Sequence, residues 1–369
     1  MLSEILFEIP DFRRGQGKRF ELGHLLHMSI MAIASNATSY SQIHIFIKEQ
    51  FPALKKKLHL NWKCAPSYSS IRRVILRTTS AAAEIAFRKD ANSRELNVSY
   101  EDDLQVISFD GKVIRGSFDD FNEANAIQVL SFFSKKSQLI IAHEVIQEKT
   151  NEIPVAQELI PKLGLKSAVF TADALSAQEK TIDIICNSGN DFVVQVKGNQ
   201  KSLLEKCINT AETGLLVDEY IESPEKGHGR IEFRKASVFN ADLLATRNDK
   251  WGNLESVIAV ERFREIFNTK TKKYEPKPEV SFYVATNQLP AIKYNEIIRG
   301  HWGIENINHY VKDVTFKEDA SRIRINPQNM VRLRSWALNI LRDSGVENIA
   351  ASLYKNSVNI KNLFKLKIW

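Results

Sequence analysis

LQVISFDGKVIRGS, residues 104–117, is where the chain changes character. Before it, over residues 1–97, apolar residues recur at helical spacing. At 104 they gather into a short run that reads as a strand ending at Asp110, followed by GKVIRGS. Two more β-rich runs follow, IQVLSFFS (127–134) and QLIIAHEVIQ (138–147), with a Lys-Lys-Ser hairpin turn between them. NEIPVAQELIPKLG then reads as a helix starting at Asn151, and SAVFTAD (167–173) as a buried strand ending at Asp173. ALSAQEKTIDIICNSG is a helix closed by glycine, and DFVVQVKGNQ a strand running into a Lys-Gly-Asn turn. The order β-β-β-α-β-α-β predicts an α/β fold, a mixed sheet with helices packed on it.

Outward toward the C-terminus, the α/β pattern breaks. Over residues 200–290, after a helix, YIES, RIEFRKASVF, NLESVIAVERFREIF and VSFYVATN alternate like antiparallel strands, predicting an all-β insertion. Within it, Gly227, His228, Gly229 and Arg230 read as a substrate loop or as a hairpin turn. Trp251 reads as a wedge against bases or as a packing residue. A helix follows over 291–312, then a break around TFKED, then NPQNMVRLRSWALNILRDSG, which closes at Gly345. Residues 346–369 form a basic amphipathic tail.

Outward toward the N-terminus, residues 1–97 predict a small helical domain. LGHLLHMSIMAIAS (22–35) is an apolar helix. Thr38 or Ser39 caps YSQIHIFIKEQF, which Pro52 ends, and Ser67 caps SYSSIRRVILRTTS. Short helices leading to a basic one with Arg72, Arg73 and Arg77 resemble a helix-turn-helix, with Arg72 and Arg73 as candidate DNA contacts. Lys55, Lys56 and Lys57 are phosphate contacts or a solvated run. A polar linker is expected over 89–103, so the boundaries are 1–97, 98–345 and 346–369.

The bulk properties exclude several classes. At 43% hydrophobic and 26% charged residues the composition is that of a globular chain. No apolar run reaches the roughly 18 to 20 residues that span a bilayer. MLSEILFEIPDFRRG has no basic start followed by an apolar core, so no secretory signal is expected. Cys64, Cys186 and Cys207 are odd in number and widely spaced, fitting neither a disulfide framework nor a CxxC metal site; a reducing cytoplasm is expected. The net charge of +7 is uneven: residues 1–97 and 299–369 are basic and the middle is acidic. Basic segments suit a phosphate backbone.

RGHWGIENINHYVKDVTFKED (299–319) carries the densest polar chemistry. At about 100° per residue, His301, Glu305, Asn308, His309 and Lys312 share one helix face. The plain reading is a solvated face. The functional one draws on Asp110 and Asp173, each where an apolar strand stops, a place where ligands gather in α/β sheets and where turn residues are also common. Asp110, Asp173 and Glu305 are far apart in sequence, and only tertiary structure can unite them. Two strand-end aspartates and a helical glutamate suit a pair of Mg²⁺ ions, which need hard oxygen donors.

FDGKVIRGS, FTADALSAQEK, VVQVKGNQ, GHGRIEFR and RGHWGIENINHYVKDVTFKEDASR together resemble the DDE transposases of bacterial insertion sequences, in particular the H-repeat-associated, ISAs-type group. The resemblance extends over almost the whole chain, including DFRRGQGKRFELGHLL and PSYSSIRRV. It implies an RNase H-like catalytic core with a β insertion between the second aspartate and the glutamate. It also implies Asp110, Asp173 and Glu305 as metal ligands, with Mg²⁺, or Mn²⁺ as substitute, serving cleavage of element ends and strand transfer. Related transposases place tyrosine, arginine and lysine at fixed steps around the glutamate. Lys312 matches the lysine, His301 stands at the arginine position and Ile298 at the tyrosine position, while Tyr294 and Arg299 are out of register.

Asp313, Glu318 and Asp319 rival Glu305 as third carboxylate. Lys112, Arg115, Lys197, His301 and Lys312 are candidate DNA contacts; for Lys112, Arg115 and Lys197 the alternative is a salt bridge at a loop end. The partners implied are double-stranded DNA, both terminal repeats and target, and a second copy when two ends are synapsed. No membrane is involved, and the expected place is the cytoplasm, on the nucleoid. The other readings are a Mg²⁺-dependent nuclease that no longer transposes and a non-catalytic DNA-binding regulator.

Overall fold

The computed structural model describes residues 2–100, 103–119, 121, 123–146, 150–227, 230–244, 250–268 and 271–369. Six helices come first: α1 (Leu2–Phe7), α2 (Leu22–Ile33), α3 (Tyr40–Glu49), α4 (Phe51–Lys57), α5 (Tyr68–Arg77) and α6 (Ser80–Glu95). The α/β part runs β1 (Val106–Val113), β2 (Gln128–Ser134), β3 (Ile140–Ile146), α7 (Glu152–Lys162), β4 (Val169–Ala172), α8 (Glu179–Asn187), β5 (Asp191–Val196) and α9 (Lys201–Thr213). Strands β6 (Leu216–Ile221), β7 (Glu225–Gly227), β8 (Arg230–Asn240), β9 (Ser256–Asn268) and β10 (Lys273–Ala285) follow. The chain closes with α10 (Ala291–His301), a π-helical turn (Ile304–His309), α11 (Tyr310–Val314), α12 (Pro327–Asp343), α13 (Ile349–Val358) and α14 (Ile360–Leu363). No helix of the described residues is long and apolar enough to cross a membrane.

Local signals set the helix starts. The Ser39 hydroxyl accepts from the Gln42 N–H and the Ser67 hydroxyl from the Ser70 N–H, each satisfying a first-turn donor. Pro52 does not end a helix as the sequence suggested; it sits in the first turn of α4, where a missing N–H costs nothing. The first part of the expected linker is helix as well, since α6 runs to Glu95. Its polar residues mislead because they are used inside: Arg94 holds Asp90 one turn earlier at 2.9 Å and Asp343 at 2.6 Å, all three nearly buried.

The chain divides into two compact units, Met1–Glu101 with Gly111–Glu152 and Ile304–Trp369, and Asp102–Asp110 with Ile153–Gly303. Strand β1 passes from one to the other. In the first unit the strand order is β3-β2-β1, with β2 and β3 an antiparallel hairpin. One apolar cluster here draws on Leu25, Ile43, Phe87, Phe133, Trp336 and Ile368. The C-terminal segment is therefore no loose tail: Leu353, Leu363 and Leu366 join the same cluster. A buried polar network also links α6, β3 and α12. The Glu84 carboxylate accepts from Arg332 Nε (2.6 Å), from the His143 backbone N–H (2.7 Å) and from Arg88 Nε (2.9 Å), while His143 Nε2 meets the Ser335 hydroxyl at 2.9 Å.

Burial holds His143 and His27 down at about 4. The unfolded chain takes up these protons below about 6.5, the folded one only near 4, so stability is present above pH 6.5 and lost on the way down. At about 1.4 kcal/mol per tenfold change in proton affinity, the loss is up to about 3 kcal/mol for each histidine. Thermal unfolding between pH 8 and pH 4 should show it, and His143→Gln should flatten the profile; a midpoint independent of pH over that range would contradict the assignment.

In the second unit the order is β1-β4-β5-β10-β9-β8-β6, with β7 on β8. β1, β4 and β5 are parallel; from β10 onward every pairing is antiparallel. The alternating runs are strands, as their period requires. They continue the sheet directly, since Phe282–Ala285 of β10 pair with Val193–Val196 of β5.

Candidate active site

Ser108 on β1 and Thr171 on β4 are register partners, and their hydroxyls lie 2.9 Å apart. Both side chains therefore face the same side of the sheet. Strand side chains alternate, so the next pair on that face, two residues along each strand, is Asp110 and Asp173. Neighbouring strands are about 4.8 Å apart, and two carboxylates from distant parts of the sequence become neighbours. Asp110 is not at a strand end: β1 continues through Gly111 to Val113. A Cβ at Gly111 would have to displace the Glu152 carboxylate and the Gln128 amide, the movable ends of two side chains. Asp173 directly follows the last residue of β4, Ala172, and its carboxylate accepts from the Leu175 N–H at 3.0 Å, capping a short 3₁₀ turn, Ala174–Ser176.

His301, the last residue of α10, meets the Thr171 hydroxyl through Nδ1 at 3.0 Å. A polar chain thus runs Ser108–Thr171–His301 beside the two aspartates. Burial lowers the proton affinity of His301, and the charges of Asp110 and Asp173 only partly restore it, so the ring is neutral at pH 7. These five residues all belong to the second unit.

Glu305 belongs to the first unit and stands in the π-helical turn. The continuous helix expected over 291–312 is interrupted there, because i→i+5 bonding shifts the side-chain phase. The face counted at 100° per residue does not form: Glu305 is exposed, while Asn308, His309 and Lys312 are buried. Arg342 Nη2 donates to the Ile307 carbonyl within the turn at 2.8 Å. Nothing in the sequence signals this turn.

The expected DNA contacts separate into two groups. Lys312 is 1% exposed and lies 3.5 Å from Glu318, which excludes it from a phosphate contact in this arrangement. Lys112 is 11% exposed; its ammonium donates to Asp313 and to Glu318 (3.2 Å), with Asp319 at 3.8 Å. Of the two readings of Lys112, the salt bridge is the one observed. Arg115 is 83% exposed, 3.7 Å from Asp319, and Lys197, Arg72 and Arg73 are exposed. Trp251 is buried and packs. His228 and Gly229 lie outside the described residues.

The rivals of Glu305 are committed elsewhere. Asp313, Glu318 and Asp319 all lie within 4 Å of Lys112. Glu318 is 0% exposed; burial pushes its carboxyl up, but Lys312, Lys112 and Arg334 outweigh this and hold it at about 2. Among the described residues no group of three or more His, Cys, Asp or Glu is gathered to hold a metal ion. The Asp110–Asp173 pair does fit the usual way Mg²⁺ is held, by one or two carboxylates with phosphate and water completing the octahedron.

Residues 101–341 match the Transposase DDE domain, and residues 3–89 the DDE_Tnp_1-associated family. The chain is 31% identical over 355 residues to YbfL of Escherichia coli K12, covering 94% of this chain and 91% of that one. It is equally similar, with the same coverage, to the H repeat-associated protein YhhI of the same strain. With YncI of Escherichia coli O157:H7 it shares 30% identity over 350 residues, 93% of this chain and 87% of that one. Among solved structures it resembles the piggyBac transposase in a synaptic complex with hairpin DNA, at a TM-score of 0.41 and 10% identity, over 97% of this chain and 77% of that one. The match to the DDE domain covers well over half of the sequence, and the chain belongs to the family of DDE transposases.

Proposed function

We propose that this DNA transposase cleaves the ends of its insertion sequence and joins them to target DNA, with Asp110, Asp173 and Glu305 as its metal-binding carboxylates. The observation that carries the reading is the register pair Ser108 and Thr171, whose contact puts Asp110 and Asp173, two residues further along each chain segment, on the same face. Glu305 is taken as the third ligand because it is exposed and stands in RGHWGIEN, the best-matched of the motifs. Family membership implies divalent-metal use; the ion proposed is Mg²⁺, with Mn²⁺ as substitute. Two such ions, when bound, activate the attacking oxygen and stabilise the leaving oxygen of the phosphodiester. The chain's own part is to present hard anionic donors, and to hold His301 by its Nδ1 so that a neutral ring lies beside them. The core is RNase H-like on this reading, supported by the orders β3-β2-β1 and β1-β4-β5 that share β1.

Residues 1–97 bind the terminal repeats on this proposal, with Arg72 and Arg73 as phosphate contacts. Arg115, Lys197 and His301 contact DNA near the carboxylates, and two copies act together in the cytoplasm, on the nucleoid. Arg72→Ala combined with Arg73→Ala should weaken binding of end DNA and reduce the slope of log affinity against log salt by about 2. An unchanged affinity and slope would take α5 out of the interface.

The direct experiment incubates the protein with DNA carrying the gene's own flanking ends in Mg²⁺ or Mn²⁺, then with a target plasmid. Cut ends followed by joined products are expected. Cut ends without joining would leave a nuclease. Binding without cutting in either metal would leave a regulator. Cutting that survives Glu305→Gln would move the third ligand to one of its rivals.

A further inference from the structure

Lys112 follows Asp110 by two residues on β1, so the two side chains share a face of the strand. Asp313, Glu318 and Asp319, its three carboxylate neighbours, all come from the segment that follows the π-helical turn bearing Glu305. The contact is not confined to one side chain. The Arg115 backbone N–H donates to the Asp319 carboxylate at 3.4 Å. A Cβ on Gly116 would run into the backbone carbonyl oxygens of Ser321 and Asp319, so only glycine lets the two backbones come this close. The stretches GKVIRG and KDVTFKEDAS therefore interlock, backbone against backbone, with Lys112 at the centre. All of these groups lie in the first unit.

The charges around Glu318 are matched. Lys112 reaches it from β1, Lys312 from α11 at 3.5 Å, and Arg334 from α12 at 3.9 Å, with Asp313 and Asp319 beside Lys112. A buried cluster of this kind adds little net stability over an apolar replacement. It does discriminate between arrangements, because a shift of either segment leaves a charge unpaired. An ammonium ringed by three carboxylates stays charged, but their charges offset its attraction for a DNA phosphate.

We propose that Lys112 is a positioning residue of the transposase: it pins the segment after Glu305 to the strand that carries Asp110. The proposal rests on the reading of Asp110 and Glu305 as parts of one reaction centre. It places Lys112 outside the DNA interface, contrary to what its motif suggested.

Lys112→Met, Lys112→Arg and Asp313→Asn would be compared with the unaltered chain in three measurements. In the metal-free, DNA-free protein, Lys112→Met should speed backbone amide exchange over residues 304–319, and Lys112→Arg should restore most of the protection. Binding of end DNA should keep the same dependence on salt in every variant, whereas loss of a phosphate contact would lower the slope by about 0.9. Single-turnover cleavage by Lys112→Met should fall at least about tenfold, the range expected for a small misplacement of reacting groups, with its Mg²⁺ midpoint moved upward. Lys112→Arg should recover much of that loss.

A reduced salt slope with an unmoved Mg²⁺ midpoint would overturn the proposal in favour of a DNA contact, as would unaltered exchange and cleavage in Lys112→Met. Should Lys112→Met fail to fold, Asp313→Asn gives the same comparison; it should move exchange and midpoint in the same direction, and no movement overturns the proposal. A wild-type protein that cuts in neither metal would sink the reading of the reaction centre, while amide exchange would still decide whether Lys112 holds the segment.

Discussion

Asp173→Asn is expected to cut end DNA at least about 10³-fold more slowly than the unaltered chain, about 4 kcal/mol of lost transition-state stabilisation, while folding and binding DNA as before. The substitution isolates the charge. An asparagine oxygen still accepts from the Leu175 N–H, so the 3₁₀ turn after β4 keeps its cap. What disappears is one anionic donor of a pair, and Mg²⁺ held by only one or two carboxylates loses a large part of its protein ligation with it. Asp110→Asn should behave alike, because Asp110 and Asp173 each follow by two residues the register partners Ser108 and Thr171. Single-turnover cleavage and a binding isotherm on the same preparations check both. Cleavage within tenfold of wild type in either variant would remove that aspartate from the reaction centre.

Glu84→Leu is the second large effect, on stability rather than activity. Glu84 is 3% exposed and Arg332 2% exposed, joined at 2.6 Å. Removing the acid leaves Arg332 with the Ser80 hydroxyl as a neutral partner at 2.7 Å, and leaves the His143 N–H without its acceptor. Stranding a buried charge costs roughly 3 to 5 kcal/mol. Chemical denaturation followed by the fluorescence of Trp336, which packs on Phe87 beside this network, should register the loss. Replacing Arg332 by leucine as well should recover at least half, since apolar pairs of similar size replace buried ion pairs at little cost. A change below about 1 kcal/mol for Glu84→Leu would mean that α6, β3 and α12 are held by their apolar contacts alone.

What the amino-acid order determined by itself was everything that depends on neighbours a few residues away. Ser39 and Ser67 cap the helices their positions announced. The alternating and continuous apolar runs became strands in the order β-β-β-α-β-α-β. Asp110 and Asp173 stood out because each follows an apolar run, and the motifs around them carried the family. These signals are local, and a period of 2 or 3.6 residues is visible wherever one face is buried.

Only the tertiary structure decided which charges meet. Lys112 and Asp313 are 201 residues apart, and no periodicity relates them; a lysine two residues after a candidate metal-binding aspartate reads the same whether it faces DNA or a carboxylate. Lys312 looked solvent-facing because the count assumed 3.6 residues per turn, and a single π-helical turn moved it inside while leaving Glu305 out. The polar stretch of α6 looked like a linker because composition cannot show that Asp90 and Arg94 are paired and buried. Lys112 finds Asp313 far along the chain, and the Asp90–Arg94 pair is completed by Asp343, 249 residues from Arg94; the cost of leaving a buried charge unpaired, rather than any local preference, selects these arrangements.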